Sequence, residues 1–186
     1  MSTLNQVIEY KKSYLLPDED NTTVKELYRM GCGGETVKID KVDWKLLNEI
    51  VVNARVPLIE LAEKLKSSSQ TVNYRLNNLI KNDIIKAFRV GIDISKLGLQ
   101  KYSIDIYLKN HSKRKAIYDY LSQKPYLEDF LESVGWADIQ FAVIVENMDK
   151  LLQLLDDLET KFPGAIRKQN FLVPTKYHKE RWLPEF

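Results

Sequence analysis

The residues of this chain best equipped for chemistry lie between Lys64 and Lys86, and that chemistry is recognition of a polyanion rather than bond breaking. Placed on a helical wheel at roughly 100° per residue, Val72, Leu76, Leu79 and Ile80 gather on one side. Gln70, Tyr74, Asn78 and Lys81 lie opposite, Thr71 and Asn77 sit beside them, and Asn73 and Arg75 flank the apolar stripe. Gln, Asn and Arg carry the paired donors and acceptors that tell base edges apart in a DNA major groove. Lys64 to Lys81 contains Lys64, Lys66, Arg75 and Lys81 and no Asp or Glu, which suits phosphate contacts. The candidate DNA-contact set is therefore Lys66, Ser68, Ser69, Gln70, Thr71, Asn73, Tyr74, Arg75, Asn78 and Lys86, with double-stranded DNA as the expected partner. A solvated polar face on an ordinary helical hairpin gives the same wheel. The short helix before it, the tight Lys66-Ser67 connection and the basic Lys86 and Arg89 after it favour nucleic acid.

Other chemistries find little support. With one cysteine, Cys32, and two histidines, His111 and His178, a Cys/His zinc site within one chain is nearly excluded. Neither histidine has a Ser, Cys or Asp partner in a motif, so both read as surface residues. No catalytic residue, metal or cofactor is expected. Gly31-Cys32-Gly33-Gly34 lacks the spacing of a phosphate-cradling loop and reads as a joint. The lone cysteine points to a reducing cytoplasm, and no apolar run approaches the roughly 18 residues of a membrane span. The net charge of +2 is uninformative, so only the local distribution of charge bears on partners.

The elements that must position the polar face follow from periodicity. Gln6 to Leu16 is strand-like and ends at Pro17; Val24 to Met30 is weakly helical. Three short helices follow. The first carries Leu46, Leu47, Ile50 and Val51, with Asp40 or Asp43 as N-cap; the second starts near Pro57; the third starts after Ser68. Ile84 to Val90 reads as a strand, completing a winged-helix arrangement, and a turn closes at Gly98. From Lys101 the order is β-α-β-β-α-β: alternating Tyr102, Ile104, Ile106 and Leu108; a helix around Ala116 to Leu121; strands at Tyr126–Val134 and Asp138–Val145; a helix with Leu151, Leu155 and Leu158; and a strand at Ala165–Val173. The expected fold is thus α+β, with an N-terminal extension over 1–38, a helix-turn-helix domain over 39–98 and a ferredoxin-like domain over 99–186. Lys11 to Pro17 also echoes Lys168 to Pro174 without gaps. That echo is either chance similarity of short strands or the last strand of a preceding domain copy; in both cases the segment is expected to pair with a sheet.

The motif order resembles the Lrp/AsnC family of feast/famine transcription regulators, especially archaeal members, over residues 39–182. Ile39-Asp40-Lys41-Val42-Asp43-Trp44-Lys45-Leu46-Leu47 is similar to the family's I-D-x-x-D-x-x-I-L, and Asn53-Ala54-Arg55 to its N-A-R. Glu60-Leu61-Ala62 and Ser69 to Leu79 match its helix-turn-helix, S-x-x-T-V-x-x-R-I-x-x-L. Lys66 and Asp83 stand where glycine is common in the family, which leaves those two turns open. Ser133-Val134-Gly135-Trp136-Ala137-Asp138 resembles the G-x-x-D element of the family's effector (RAM) domain. The resemblance implies a pocket between dimers where an amino acid binds, with Gly135, Trp136 and Asp138 as candidate contacts and Asp138 facing the amine. A plain hairpin turn needs Gly135 equally. The resemblance further implies a homodimer joined through its sheets, assembling to tetramers or octamers. Relatives with the same plan resemble siroheme decarboxylases, an enzymatic alternative; a co-regulator without DNA binding is the third.

Overall fold

In a computed structural model, residues 3–10, 26–31, 35–175 and 183 are described. The chain divides into two compact units, one of residues 1–33 and 91–175, the other of 34–90 and 176–186. The expected boundaries differ: the N-terminal strand belongs to the sheet unit, and the residues after Thr175 group with the helices, where Leu183 packs on the helical core.

In the helical unit, α1 spans Lys41–Val52, α2 Leu58–Leu65 and α3 Ser69–Lys81. Asp40 is the N-cap of α1, accepting from Val42 and Asp43 N–H, while Asp43 accepts from the Asp40 N–H in return, a reciprocal capping box. Pro57 stands directly before α2, and Ser68 caps α3 by accepting from Thr71 N–H. Leu46, Leu47, Leu61, Ala62, Val72 and Leu79 form the buried core. Lys66, ending α2, and Asp83, after α3, are the two non-glycine residues with positive φ among those described, at 49° and 60°. These are the two positions where the family pattern prefers glycine, and the backbone explains why: only glycine enters that region without a Cβ penalty.

The strand expected over Ile84 to Val90 does not form. The amides of Ile84 and Ile85 both donate to the Leu79 carbonyl, at 2.9 and 3.1 Å. That tie folds the chain back on the helix end, so Ile84 and Ile85 pack against the helical core instead of entering a ladder.

In the sheet unit, β1 spans Thr3–Tyr10, β2 Glu26–Gly31, β3 Gln100–Leu108, β4 Leu127–Val134, β5 Ile139–Val145 and β6 Ile166–Leu172, with α4 at Arg114–Leu121 and α5 at Met148–Lys161. The antiparallel order is β2-β1-β4-β5-β3-β6. The last four strands with α4 and α5 make the ferredoxin-like split β-α-β; β1 and β2 extend it past β4. Tyr102, Ile104, Ile106 and Leu108 alternate into a core shared with Ile117, Leu121, Phe130, Phe141, Leu151 and Leu155. Ile8 and Tyr10 are buried in that same core, and Tyr10 meets Phe130 edge-on at 5.8 Å, so the extension is part of the domain's packing.

Within the segment expected to be weakly helical, Val24 to Met30, the described residues from Glu26 on form strand β2 and not a helix. Ile8 faces Arg29 and Glu9 faces Tyr28 across the pair, so the ladder offered by β1 outweighs a weak helical pattern. The echo at Lys11 to Pro17 and the joint at Cys32 to Gly34 lie outside the described residues. Among the described residues no helix is long and apolar enough to cross a membrane.

Candidate nucleic-acid interface

The site is built on α3, whose start has no acidic residue in its first turn. The Ser68 hydroxyl is fixed by the Thr71 amide at 3.1 Å and the Thr71 hydroxyl at 2.9 Å, which sets the helix entry. Beyond this cap, Gln70, Thr71, Asn73 and Tyr74 are exposed, Tyr74 at 65%. Gln70, Asn73 and Tyr74 make no side-chain hydrogen bond to another described residue, so their donors and acceptors point outward unspent. Ser69 and Asn78 are half-buried, and Lys66 is exposed. A cleft of about 310 Å³ runs beside this face, lined by Val37, Ile39, Thr71, Tyr74, Asn78 and Ile84 among others.

Two of the predicted contacts are ion-paired within the protein. Lys86 Nζ lies 3.1 Å from the Asp83 carboxylate, an exposed pair of the kind that contributes little on its own. Arg75 is engaged more fully. Its Nη1 donates to Asp40 Oδ2 and to Asp43 Oδ1, both at 2.8 Å, and its side chain is only 26% exposed. The Asp43 and Asp40 hydrogen bonds hold the guanidinium above its ordinary pKa. Asp40 is held below the usual carboxylate value, first by the Asp43 amide and then by Arg75. Arg75 thus bonds within the protein where the spacing predicted a base contact, and its partners sit more than thirty residues earlier, beyond the reach of any wheel.

The second expected site, the loop between β4 and β5, is arranged differently. Gly135 adopts φ 84°, the left-handed conformation the turn needs. The Asp138 carboxylate accepts the Leu108 amide at 2.7 Å, and His111 Nδ1 approaches its other oxygen at 3.3 Å. The Asp138 amide donates to the Ile106 carbonyl, and Arg114 Nε donates to the Asp138 carbonyl. Asp138 therefore pins the end of β3 to the loop. Trp136 Nε1 donates to Asp105 at 2.8 Å; Gln140 donates to the other Asp105 oxygen at 3.0 Å and accepts from the Ser133 hydroxyl. The sequence reading missed Asp105 and Gln140. The signal available was parity alone: Asp105 lies between the buried Ile104 and Ile106, on the opposite face of β3. His111 is 70% exposed at its side chain, and His178 lies outside the described residues.

Residues 39–86 match the winged helix-turn-helix DNA-binding family. The chain is 25% identical over 122 residues to the HTH-type transcriptional regulator LrpB of Bacillus subtilis, covering 66% of this chain and 82% of that one. It is 31% identical over 102 residues to an HTH-type transcriptional regulator of Pyrococcus horikoshii, PH0061, covering 55% of this chain and 69% of the relative. The chain belongs to the Lrp/AsnC family. As a member of that family it is a DNA-binding transcription regulator. Its fold agrees with Lrp/AsnC structures: AsnC of Escherichia coli superposes with a TM-score of 0.68 at 21% identity, over 79% of this chain and 99% of the other. The regulator NMB0573 of Neisseria meningitidis, solved as an L-Met complex, gives 0.68 at 19% identity, over 79% and 97%. About a fifth of this chain lies outside each superposition.

Proposed function

We propose that this Lrp/AsnC regulator reads a double-stranded DNA operator with the N-terminal half of α3. Gln70, Thr71, Asn73 and Tyr74 address base edges or sugar, Asn78 supports them one turn on, and Lys66, Ser68, Ser69 and Lys86 address phosphates. The observation that carries this reading is the exposed polar face of α3, where the Gln70, Asn73 and Tyr74 side chains are unspent inside the protein and no acid lies from Lys64 to Lys81. Helix N-termini and basic flanks orient a protein on the duplex, while amides and the Tyr74 ring supply discrimination. The protein acts in the cytoplasm as a homodimer, which presents two copies of α3 to successive major grooves, and it acts without catalysis. Selection of duplexes from a random pool, followed by footprinting, tests the reading: Gln70→Ala and Tyr74→Ala are expected to erase the protected site, and intact footprints would sink it.

The 133–138 loop supports a second role, contact with an amino-acid effector. Gly135 and the half-exposed Trp136 offer backbone approach and an aromatic wall, and a neighbour of the same fold was solved with L-Met. Asp138 shapes this loop through the Leu108 amide on one oxygen and turns the other toward His111. Calorimetric titration of the full chain with the L-amino acids checks it: heat with one of them that Trp136→Ala abolishes is the expected result.

A further inference from the structure

We infer that Arg75 is a positioning residue for DNA recognition: through Asp40 and Asp43 it sets the pose of α3 on α1, and it reads no base itself. This rests on the proposal that α3 reads DNA. The allocation of atoms is the first argument. Asp40 Oδ1 accepts the Val42 and Asp43 amides, at 2.8 and 2.9 Å, leaving Oδ2 for Arg75. Asp43 Oδ2 accepts the Asp40 amide at 3.0 Å, leaving Oδ1 for Arg75. Each carboxylate divides its oxygens between the helix cap and the clamp, and the two protons of Nη1 are both used. The capping box of α1 and the middle of α3 are thereby joined at one point.

Location is the second argument. Asp43, Thr71, Tyr74, Arg75 and Asn78 line the same cleft, so the clamp forms part of the wall from which the reading side chains project. Apolar packing of Leu46, Leu47, Val72 and Leu79 holds the helices together but is non-directional. Charge-assisted hydrogen bonds are directional and add what packing lacks, a fixed rotation of α3 about its axis. Charge is the third. Two carboxylates beside a DNA-binding face repel phosphate, and Arg75 offsets one of the two charges where they stand.

The test uses the full chain, the operator it selects from a random duplex pool, and an unrelated duplex of equal length. Asp40→Asn and Asp43→Asn are the informative variants, because asparagine keeps the cap acceptor and withdraws the carboxylate from Arg75. Charge alone predicts tighter DNA binding by both. The clamp predicts operator binding weakened about tenfold, the scale of one good base contact, with binding to the unrelated duplex unchanged or tighter. Arg75→Gln combined with Asp43→Asn is expected to be no worse than the poorer single variant. A merely unstable variant would lose both duplexes together and show it in thermal melting. Operator binding by both Asn variants at or above the wild-type level overturns the clamp. So does an Arg75→Gln that relaxes a single base pair, or that lowers the salt slope by about one phosphate contact, since either marks direct contact with DNA. Failure of the wild type to select any sequence, or selection that survives Gln70→Ala and Tyr74→Ala, overturns the reading of α3 itself and the clamp's role with it.

Discussion

The face of α3 and the loop between β4 and β5 carry similar side chains in opposite states. On α3, the side chains of Gln70, Asn73 and Tyr74 make no hydrogen bond to another described residue, while Arg75 beneath them gives Nη1 to two carboxylates. At the loop, Trp136, Asp105, Gln140 and Ser133 bond to one another, and Asp138 bonds to Leu108 and Arg114. An open face held by a committed anchor is preorganised for a ligand with many donors and acceptors of its own. A self-satisfied loop must exchange bonds before it takes a ligand, so a small molecule there competes with the protein's own network. The difference lies in who satisfies the polar groups, and each state has its own signature under mutation.

The largest expected effect concerns the foundation of the loop. Ile8 is fully buried against the core that supports β4, so Ile8→Ala is expected to cost about 2–5 kcal/mol, read by urea unfolding of the full chain. A cost below about 1 kcal/mol would mean that the N-terminal strand is dispensable to the sheet. Next come two substitutions whose effects should cross. Tyr74→Ala should cost about 1–3 kcal/mol in operator binding and almost nothing in stability. Asp138→Ala should cost about 1–3 kcal/mol in stability, because it strands the Leu108 amide, and leave DNA binding alone. If Tyr74→Ala destabilised the fold as much as Asp138→Ala, the contrast between open and satisfied sites would collapse.

Smaller effects sharpen the picture at the turns. Lys66→Gly relieves a left-handed lysine and should stabilise the helical unit by about 1 kcal/mol, visible as a higher melting temperature. Asp83→Gly should gain less, since Asp tolerates this region better and its pairing with Lys86 is lost. The smallest concerns acid. The carboxyl of Asp40 titrates below its ordinary 3.8 in the folded chain, so its contribution is present above that value and lost as pH falls through the lowered one. Melting of the wild type from about pH 6 down to about pH 3 should show an acid decline that Asp40→Asn reduces. An identical decline in both would remove the capping-box carboxylate from the account.

Much of this was legible before any coordinates. Asp40 and Ser68 announce the starts of α1 and α3 because capping is a local matter of two or three residues. The β-α-β-β-α-β order follows from the switch between alternating and helical periods, and the exposed face of α3 from its wheel. Even the departures at Lys66 and Asp83 marked the two turns that proved left-handed. What tertiary structure alone decided is whom a side chain meets across long stretches of chain. It placed Arg75 on carboxylates 32 and 35 residues away, and Asp138 on an amide 30 residues away. It made a strand of Glu26–Gly31 by offering the edge of β1, whereas the tie of the Ile84 and Ile85 amides to Leu79 is local. Periodicity and caps are local and survive in the sequence. Hydrogen-bond partners and ladder edges are set by the approach of distant segments, which no local pattern records.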